Sequence, residues 1–449
     1  MSLPRYPDYK ESGVEWLGRV PDHWSISQVK RTTYIKARVG WKGLTSDEFC
    51  IHAFAYLVTG TDFREKFVRW NECYQIEEGR YEDDPFIQLQ EGDLLITKDG
   101  TIGKLAIVAD LDRPACLNSG IFVMRPLNSY VTPFMYWVLS SGMFSVFCDL
   151  QSSGSTINHL YQKAFEQFAF PTPPLSEQNA IAEFLDRETA KIDELVSEQR
   201  RLMELLKEKR QAVISHAVTK GLNPNAPLKP SGIPWLGDVP AHWNIPKMKW
   251  VAKMESGHTP DKKVPAYWDN GNIPWVSLND TGFLKDNDYI SDTAYSITEA
   301  GLANSSAHLL PSRAVVFSRD ATIGRCAITT RPMAVSQHFI AWICSEALIP
   351  EFLLARLRSM TSELDRLTTG ATVKTIGMPE VRTLVTPVPP VHEQREIVAW
   401  IDSELDRIDA LNTEAQRAID LLLERRSALI SASVTGQIDV RGLVAPEAA

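Results

Sequence analysis

The sequence predicts an α+β protein in which two mixed α/β domains are joined by two long helices that pair as an antiparallel coiled coil. Three observations lead to this fold class. A heptad-patterned stretch occurs twice, the domain before each copy opens with the same motif, and both domains contain short apolar runs typical of strands. Because each half repeats the order of domain and helix, we expect a chain with pseudo-twofold duplication.

The first heptad-patterned stretch covers residues 176–217, where seam positions alternate four and three residues apart, the pattern of a coiled-coil helix. The same phase returns 216 residues later, over residues 392–433. For one copy alone, an amphipathic helix packed on a domain core is an equal alternative, but two copies in phase favour a paired spacer. The predicted apolar seam comprises Ile181, Leu185, Ile192, Leu195, Leu202, Leu206, Ile397, Ile401, Ile408, Leu411, Leu422 and Leu429.

Helix start and stop signals set the predicted boundaries. Pairs of prolines precede both stretches, and Gly221 and Gly436 lie just past their ends, where a left-handed residue commonly terminates a helix. The predicted division is a first domain over 1–175, a central spacer helix over 176–217, a second domain over 218–391, a C-terminal spacer helix over 392–435 and a tail over 436–449.

Composition and charge narrow the class of protein. The 449 residues are 44% apolar and 23% charged, as in globular proteins. The polar N-terminus and the lack of a long apolar run predict a cytoplasmic protein without a signal peptide or a membrane partner. Six scattered cysteines without a C-x-x-C pair argue against zinc and fit reduced thiols. The net charge of −9 sits largely on the two predicted helices, so the domains can still carry local basic faces.

The two domains share several anchor motifs, but the segments that lie between these motifs differ from one domain to the other. The motif SGVEWLGRVPDHW at 12–24 returns as SGIPWLGDVPAHW at 231–243, and TKDGTIGKLAIV at 97–108 returns as SRDATIGRCAIT at 318–329. Short apolar runs around these turns predict strands. The stretches 133–150 and 350–367 each read as one amphipathic helix with proline in its first turn. Constant ends with divergent middles suggest one scaffold that presents two different surfaces.

These motifs together resemble the specificity subunit of Type I restriction–modification systems. The resemblance rests on the duplicated order of four features: the W-L-G-x-x-P-x-H-W opening, the T-I-G turn, a G-x-T segment, and P-L-x-E-Q before the long helix, with valine in place of the leucine in the second copy. It implies that the two domains are target-recognition domains, each reading one half of a bipartite DNA sequence. It also implies that the helices space the half-sites and offer docking surface to two modification (methyltransferase) subunits, and that restriction (motor and nuclease) subunits join them.

The sequence gives no sign of chemistry in this chain. It contains no G-x-x-x-x-G-K-[ST] loop, and Asp84-Pro85-Phe86 lacks the second proline of an amino-methyltransferase motif. We therefore expect no catalytic residue and no metal site here, and expect S-adenosylmethionine, ATP and Mg²⁺ on the partner subunits. His23 and His242 could act as bases, but a structural imidazole beside the neighbouring tryptophan is favoured.

Residues that read the sequence of double-stranded DNA are expected in the divergent, polar segments. Contacts to bases select the DNA sequence, whereas contacts to phosphates only position the protein on the duplex. For the first domain the expected residues are Lys36, Arg38, Trp41, Lys42, Thr61 and Arg64. For the second they are His258, Thr259, Lys262, Lys263, Tyr267, Trp268, Ser277 and Asn279. An ordinary solvated loop is the alternative for the first set, and a place in the domain core is the alternative for Trp268.

Residues matched between the two domains are expected to contact phosphates, with turn chemistry as the alternative. The basic turns contribute Lys98, Thr101, Lys104, Arg319, Thr322 and Arg325. The hydroxyl-rich loops before the helices contribute Ser153, Ser155, Thr156, Thr369 and Thr372.

Two other classes of protein remain open at this point. One is a coiled-coil adaptor whose two β domains bind sugars or peptides, and it would lack a contiguous basic concavity. The other is a self-contained methyltransferase or nuclease, which the missing motifs disfavour.

Overall fold

The structure, a computed structural model, describes residues 3–38, 43–63, 66–151, 159–370 and 374–443. The chain divides into two compact units. The first unit combines Met1–Gln199 with Arg417–Ala449, and the second unit is Arg200–Gln416. Both boundaries fall inside long helices, so each long helix contributes one half to each unit. The predicted α+β fold class with two domains and two long helices is confirmed.

The first unit contains eleven named strands in its described residues. They are β1 (Tyr9–Glu11), β2 (Arg19–Pro21), β3 (Ser25–Gln28), β4 (Thr33–Ala37), β5 (Ala55–Val58), β6 (Tyr74–Ile76), β7 (Leu94–Thr97), β8 (Leu105–Ile107), β9 (Ala115–Leu117), β10 (Ile121–Pro126) and β11 (Ala169–Thr172). Its helices are α1 (Val29–Thr32), α2 (Glu78–Glu82), α3 (Thr132–Leu139), α4 (Gly142–Gln151), α5 (Gln162–Phe165) and the first half of α6 (Leu175–Lys220).

The second unit repeats this plan. Its strands are β12 (Leu228–Pro230), β13 (Asp238–Pro240), β14 (Ala252–Ser256), β15 (Ile273–Val276), β16 (Tyr289–Ile290), β17 (Tyr295–Ile297), β18 (Val315–Ser318), β19 (Cys326–Thr329), β20 (Ala334–Val335) and β21 (Phe339–Cys344). Its helices are α7 (Thr281–Asp286), α8 (Glu299–Ala303), α9 (Pro350–Arg358), α10 (Thr361–Leu367), α11 (Met378–Val381) and the first half of α12 (Val391–Val434).

Each unit has one main sheet and one three-stranded sheet, beside the two-stranded pairs β1-β2 and β11-β3 in the first unit and β12-β13 in the second. In the first unit the main sheet has the order β4-β10-β7-β8 and the smaller one β6-β5-β9. In the second unit the corresponding orders are β14-β21-β18-β19-β16 and β17-β15-β20. The main sheets bury both faces: Leu94 and Ile96 belong to one apolar cluster, while Leu95 between them belongs to another. This explains why these strands read as continuous apolar runs.

The predicted helices at 133–150 and 350–367 are each broken in two. Residues between α3 and α4, and between α9 and α10, leave the helical path. Near the first break, the Ser140 hydroxyl donates to the Tyr136 carbonyl at 2.7 Å, and Gly142 begins the next helix. Apolar spacing continues through the break on both sides, which is why periodicity alone predicted one helix.

The long helices α6 and α12 run antiparallel within each unit. In the first unit, Ile181 and Leu185 near the start of α6 share a core with Ile430 and Val434 near the end of α12. In the second unit the roles exchange, and the end of α6 packs with the start of α12. The helices end at Lys220 and Val434, against predicted ends at 217 and 435, and Gly221 and Gly436 just beyond them both adopt a left-handed φ of 73°.

An equivalent ion pair joins the two helices in each unit. The Arg426 guanidinium contacts Asp193 at 2.9 Å in the first unit, and that of Arg210 contacts Asp409 at 2.6 Å in the second. Asp409 and Arg426 lie 216 positions after Asp193 and Arg210, the same interval that relates the heptad patterns. The duplication therefore extends to individual contacts between the helices.

The predicted helix seam needs one correction. Leu195, Leu202 and Leu411 are 44, 39 and 49% exposed, so they do not belong to the contact stripe. One row of the stripe lies one residue later than predicted, at Thr189 and Val196, which are 3 and 5% exposed. The apolar pattern selected the leucines because the true row includes polar members such as Thr189, whose hydroxyl donates to the Leu185 carbonyl at 2.6 Å. The remaining predicted seam residues are buried or half-buried: Ile181, Leu185, Ile192, Leu206, Ile397, Ile401, Ile408, Leu422 and Leu429.

The segment predicted as a tail belongs in part to the core of the first unit. Ile438 is 8% exposed and Val440 is fully buried, in the same apolar cluster as Tyr6 and Trp24. The Asp439 N–H donates to the Pro4 carbonyl at 2.9 Å. Residues 436–443 therefore complete the first unit, and residues 444–449 lie outside the described part of the chain.

Candidate nucleic-acid interface

Two parallel strands end side by side in the second unit. β15 pairs in parallel with β20, and Val276 lies beside Val335. The residues that follow parallel strands converge at one edge of the sheet, which is a common position for binding sites. The Ser336 N–H donates to the Val276 carbonyl at 2.8 Å and so ties the two chain exits together.

A cleft of about 530 Å³ opens beside these strand ends, and we call it the strand-end cleft. Its lining includes five of the predicted DNA-reading residues: Thr259, Lys262, Trp268, Ser277 and Asn279. The other lining residues are Trp275, Leu278, Tyr295, Ser336, Gln337 and His338. The fold thus gathers polar and aromatic side chains from three separate parts of the chain around one opening.

Gly257 allows the segment with Thr259 to reach this edge. A Cβ atom at position 257 would lie 1.7 Å from the Val335 carbonyl oxygen, so only glycine permits the approach. The neighbouring His258 N–H donates to that same carbonyl at 3.1 Å. The His258 side chain is exposed, and the segment that carries it is fixed to the end of β20.

Two tryptophans form the apolar wall of the strand-end cleft. Trp275 is 4% exposed and donates from Nε1 to the His258 carbonyl at 3.1 Å. Trp268 packs edge-on against Trp275 with ring centroids 5.2 Å apart, and its Nε1 donates to the Asp261 carbonyl at 3.1 Å. Because both indole donors are used internally, Trp268 can offer only ring surface to a ligand.

The other predicted residues near this cleft differ in their exposure and in whether their side chains already have hydrogen-bond partners. Ser277 is 7% exposed, and its hydroxyl donates to Asp280 Oδ2 at 3.1 Å, so it shapes the loop. Asn279, by contrast, is exposed, and its amide has no partner among the described residues. Lys262 and Lys263 are both exposed, and Tyr267 is half-buried. Asn279 and Lys262 are therefore the predicted residues best placed to contact a ligand here.

The first unit has the same backbone arrangement where its two parallel strands end, and we call this arrangement the strand-end frame. The side chains on it differ between the units. β5 pairs in parallel with β9, and the Asn118 N–H donates to the Val58 carbonyl at 2.9 Å, just as Ser336 does to Val276. The Thr59 hydroxyl donates to Asp62 Oδ2 at 3.1 Å, in the role of Ser277 and Asp280. The predicted Thr61 consequently occupies the place of Asn279, and it too is exposed.

The matched basic turns divide between two locations. Backbone N–H groups of Lys98 and Arg319 donate to the carbonyls of Gly120 and His338, beside the strand ends. The Arg319 guanidinium also donates to the carbonyls of Gln337 and Ile376, each at 3.2 Å, so it is largely engaged within the second unit. The Lys98 ammonium contacts Asp99 at 3.1 Å.

Lys104 and Arg325 face a different cleft, next to the long helices. In the first unit this cleft of about 660 Å³ includes Lys104 with Asp193 and Arg426, and in the second unit a cleft of about 880 Å³ includes Arg325 with Asp409. Neither residue lines the strand-end cleft. Thr101 and Thr322 are exposed in the turns between the paired strands, and Thr369 is exposed after α10.

In the first unit, Lys36 fits the predicted role better than Arg38. Lys36 is exposed on β4, with its ammonium 5.8 Å from the centre of the Phe86 ring. Arg38 is only 4% exposed, and its Nε donates to the Leu117 carbonyl at 2.9 Å. The prediction that Arg38 contacts DNA is therefore corrected: its guanidinium is turned inward to satisfy the end of β9. Trp41, Lys42, Arg64, Ser153, Ser155, Thr156 and Thr372 lie outside the described residues.

Sequence reasoning missed Gln337 and His338, which line the strand-end cleft directly after β20. It also missed Asp320, whose Oδ2 lies 2.8 Å from His338 Nδ1. A signal was available, because VSQHFI at 335–340 aligns with LNSGIF at 117–122 and differs in its central pair. That pair was overlooked because the flanking residues read simply as a buried strand.

The recurring histidines have a structural partner in each unit. His23 Nε2 lies 2.8 Å from Glu177, and His242 Nε2 lies 2.8 Å from Glu393.

Across the described residues, no group of three or more His, Cys, Asp or Glu could hold a metal ion. None of the helices in the described ranges is both long and apolar enough to cross a membrane.

Comparison with known proteins gives a consistent result. The family model described as "Type I restriction modification DNA specificity domain" matches residues 57–203 and 240–420. The chain is 24% identical to the Type I restriction enzyme MjaVIII specificity subunit of Methanocaldococcus jannaschii, over 97% of this chain and 98% of that protein. It is 20% identical to the Type I restriction enzyme EcoKI specificity subunit of Escherichia coli, over 94% of this chain and 90% of that protein.

Solved structures share the fold across nearly the whole chain. A chain in the structure reported as "Structural basis underlying complex assembly and conformational transition of the type I R-M system" matches with a TM-score of 0.68 at 16% identity, covering 93% of this chain and 99% of that one. The HsdS subunit from Thermoanaerobacter tengcongensis matches with a TM-score of 0.57 at 16% identity, covering 93% and 98%. The arrangement of paired long helices and duplicated sheets is therefore one already seen in solved structures.

Proposed function

Because this chain belongs to the family of Type I restriction modification DNA specificity domains, we propose that it is the DNA-recognition subunit of a Type I restriction–modification complex. In this role it reads a bipartite, asymmetric target, and each unit reads one half-site. The observation that supports this best is that both units build the same strand-end frame and fill it with different side chains.

A shared frame with different side chains is what two unlike half-sites require. Contacts to phosphates position a protein on the duplex without reading its sequence, and donors and acceptors that reach base edges supply the discrimination. The frame around Val58 and Val276 is matched down to single backbone hydrogen bonds. Thr61 in one unit and Asn279 in the other differ in the groups that they would offer to a base.

In this proposal the chain catalyses no reaction itself, and the catalytic activities belong to its partner subunits. Two modification subunits carry S-adenosylmethionine, and restriction subunits carry ATP and Mg²⁺. The long helices α6 and α12 fix the gap between the half-sites and offer docking surface to those partners. Their repeated ion pairs, Asp193 with Arg426 and Arg210 with Asp409, support a helix pair whose register is held in both units.

Selection of DNA from a randomised duplex pool by the full chain tests the proposal. We expect an enriched target with two unlike half-sites separated by a fixed gap. Lys262→Ala should weaken binding and reduce the slope of log affinity against log salt by about 0.9, because one phosphate contact is lost. Lys253→Ala is the matched control, since the Lys253 ammonium is already paired with Glu255 at 2.6 Å. Absence of any enriched sequence would overturn the proposal.

An insertion tests the spacer role separately. Four residues added within α6 lengthen the helix by roughly one turn, and we expect the gap to change while both half-sites stay the same. The control places the same four residues in the loop between Asn223 and Pro224, outside the helix. An unchanged gap in the α6 variant, read from methylation sites of the complex or from selected duplexes, would remove the spacer role.

A further inference from the structure

A continuous chain of hydrogen bonds crosses the strand-end cleft of the second unit. The Thr259 hydroxyl donates to Gln337 Oε1, and Gln337 Nε2 lies 3.2 Å from His338 Nε2. His338 Nδ1 lies 2.8 Å from Asp320 Oδ2, and the Thr375 hydroxyl donates to the other oxygen of Asp320. Asp320 is 9% exposed and Gln337 is exposed, so the chain runs from the interior to the opening of the cleft.

The buried carboxylate sets the direction of every bond in this chain. Asp320 can only accept, so the imidazole of His338 donates from Nδ1 and leaves Nε2 as an acceptor. The Gln337 amide nitrogen therefore donates to that Nε2, and its oxygen accepts from Thr259. One N–H and one lone pair of the Gln337 amide remain, and exchanging the two ends of the amide would break the hydrogen bond to His338 Nε2, because an amide oxygen cannot donate.

A fixed glutamine amide with one free donor and one free acceptor is the complement of adenine. In the major groove adenine presents an acceptor at N7 and a donor at N6, and glutamine pairs with both at once. Guanine presents two acceptors at the same edge, which would leave the amide oxygen facing another oxygen. The orientation of Gln337 therefore favours adenine over guanine in a way that a freely rotating amide would not.

The first unit lacks this reader although it has the same frame. Ser119 and Gly120 stand where the second unit has Gln337 and His338, as the matched bonds from Asn118 to Val58 and from Ser336 to Val276 establish. Asp99, which corresponds to Asp320, contacts His159 Nδ1 instead. The side chains at these positions therefore differ while the backbone that carries them is conserved between the two units.

We propose that Gln337, held in place by Thr259, His338 and Asp320, reads an adenine in the half-site bound by the second unit. Gln337 is the specificity-determining residue, and His338 and Asp320 are positioning residues that act through it. The inference rests on the proposed function and deepens it, because it assigns one base of the target to one side chain and excludes the first unit from that assignment.

Duplex selection with the full-length Gln337→Ala chain tests this inference. The wild-type chain should enrich a bipartite target that has a required adenine in one half-site. The variant should lose roughly 5- to 150-fold of discrimination at that base pair and keep the rest of the target. Ser119→Ala, the matched change in the first unit, should leave that base pair unaffected. Because Gln337 is exposed, its replacement by alanine is not expected to unfold the chain.

A second measurement separates direct reading from a structural effect. Replacing the required adenine by 7-deazaadenine removes the N7 acceptor, so it should weaken the wild-type complex and have no added effect on Gln337→Ala. His338→Ala should lower the same discrimination by freeing the amide. Enrichment of an identical target by wild type and Gln337→Ala overturns the inference and leaves the proposed function standing. Failure of the wild-type chain to enrich any target overturns both.

Discussion

The fully buried indole of Trp24 donates a hydrogen bond of 3.0 Å from Nε1 to the carboxylate of Glu177. This bond joins the opening motif of the first unit to the first turn of the long helix α6. Trp243 and Glu393 form the same 3.0 Å bond in the second unit, between its opening motif and α12. The duplicated motifs therefore fix the angle at which each long helix leaves its domain.

Removing the Glu177 carboxylate should destabilise the first unit more than the equivalent change destabilises the second. Glu177→Ala leaves the Tyr6 hydroxyl and the Trp24 indole without their shared acceptor, which should cost about 3 kcal/mol. Hydrogen exchange measured on peptides from each unit checks this. Glu393→Ala, the control, should cost less, because the Glu393 side chain is 20% exposed and lacks a tyrosine partner among the described residues. Equal losses would contradict the assignment.

The corrected helix register can be tested with two adjacent residues. Val196→Ala should lower the free energy of unfolding by about 1–2 kcal/mol, because Val196 is 5% exposed within the contact stripe. Leu195→Ala should change it by less than about 0.5 kcal/mol, since 44% of Leu195 is exposed. Urea denaturation of the full chain measures both. A larger loss for Leu195→Ala would restore the register that the sequence predicted.

The close approach at Gly257 predicts a strong effect from one methyl group. In Gly257→Ala the new Cβ would overlap the Val335 carbonyl oxygen, so the backbone must move, at a cost of about 1–3 kcal/mol. Gly282→Ala provides the comparison, because it lies in α7 with no heavy atom within 4 Å of a new Cβ. It should be neutral or stabilise the chain by up to about 1 kcal/mol. Thermal unfolding of the two variants would refute the argument if their order were reversed.

A buried thiol makes stability fall on the alkaline side. Burial raises the pKa of Cys326 from 9.0 to about 11. The unfolded chain releases this proton first, so the contribution is fully present below about pH 9 and is lost as the pH rises toward about 11. Urea midpoints across the alkaline range measure the decline. Cys326→Ala should make it shallower, and an unchanged slope in that variant would assign the decline to other groups.

Much of the architecture follows from patterns that recur along the sequence. The heptads, the duplicated opening motifs and the terminating glycines predicted two domains and two long helices, and the structure has them. The helix seam was partly wrong because the buried Thr189 is polar, and an apolar pattern passes over it. A shift of the contact row by one residue leaves the heptad spacing unchanged. Spacing alone therefore could not show which of two adjacent residues, such as Leu195 and Val196, packs in the contact stripe.

The candidate site was only partly predictable for a different reason. Polar residues in divergent segments pointed to Thr259, Lys262 and Asn279, which the fold brings to one cleft. Arg38 was misassigned because its sequence neighbours are polar, although its guanidinium caps a strand end inside the first unit. Gln337 was missed because the groups next to its amide, Thr259 and the pair of His338 with Asp320, come together only in the fold.

The division of the chain also sets the order in which the protein can be completed during translation. The second unit is one uninterrupted stretch, Arg200–Gln416, whereas the first needs Arg417 onward, including the buried Val440. The domain synthesised first therefore keeps part of its apolar surface uncovered until the residues from Arg417 to Val440 have also been made. The second unit, by contrast, is complete once Gln416 has been made.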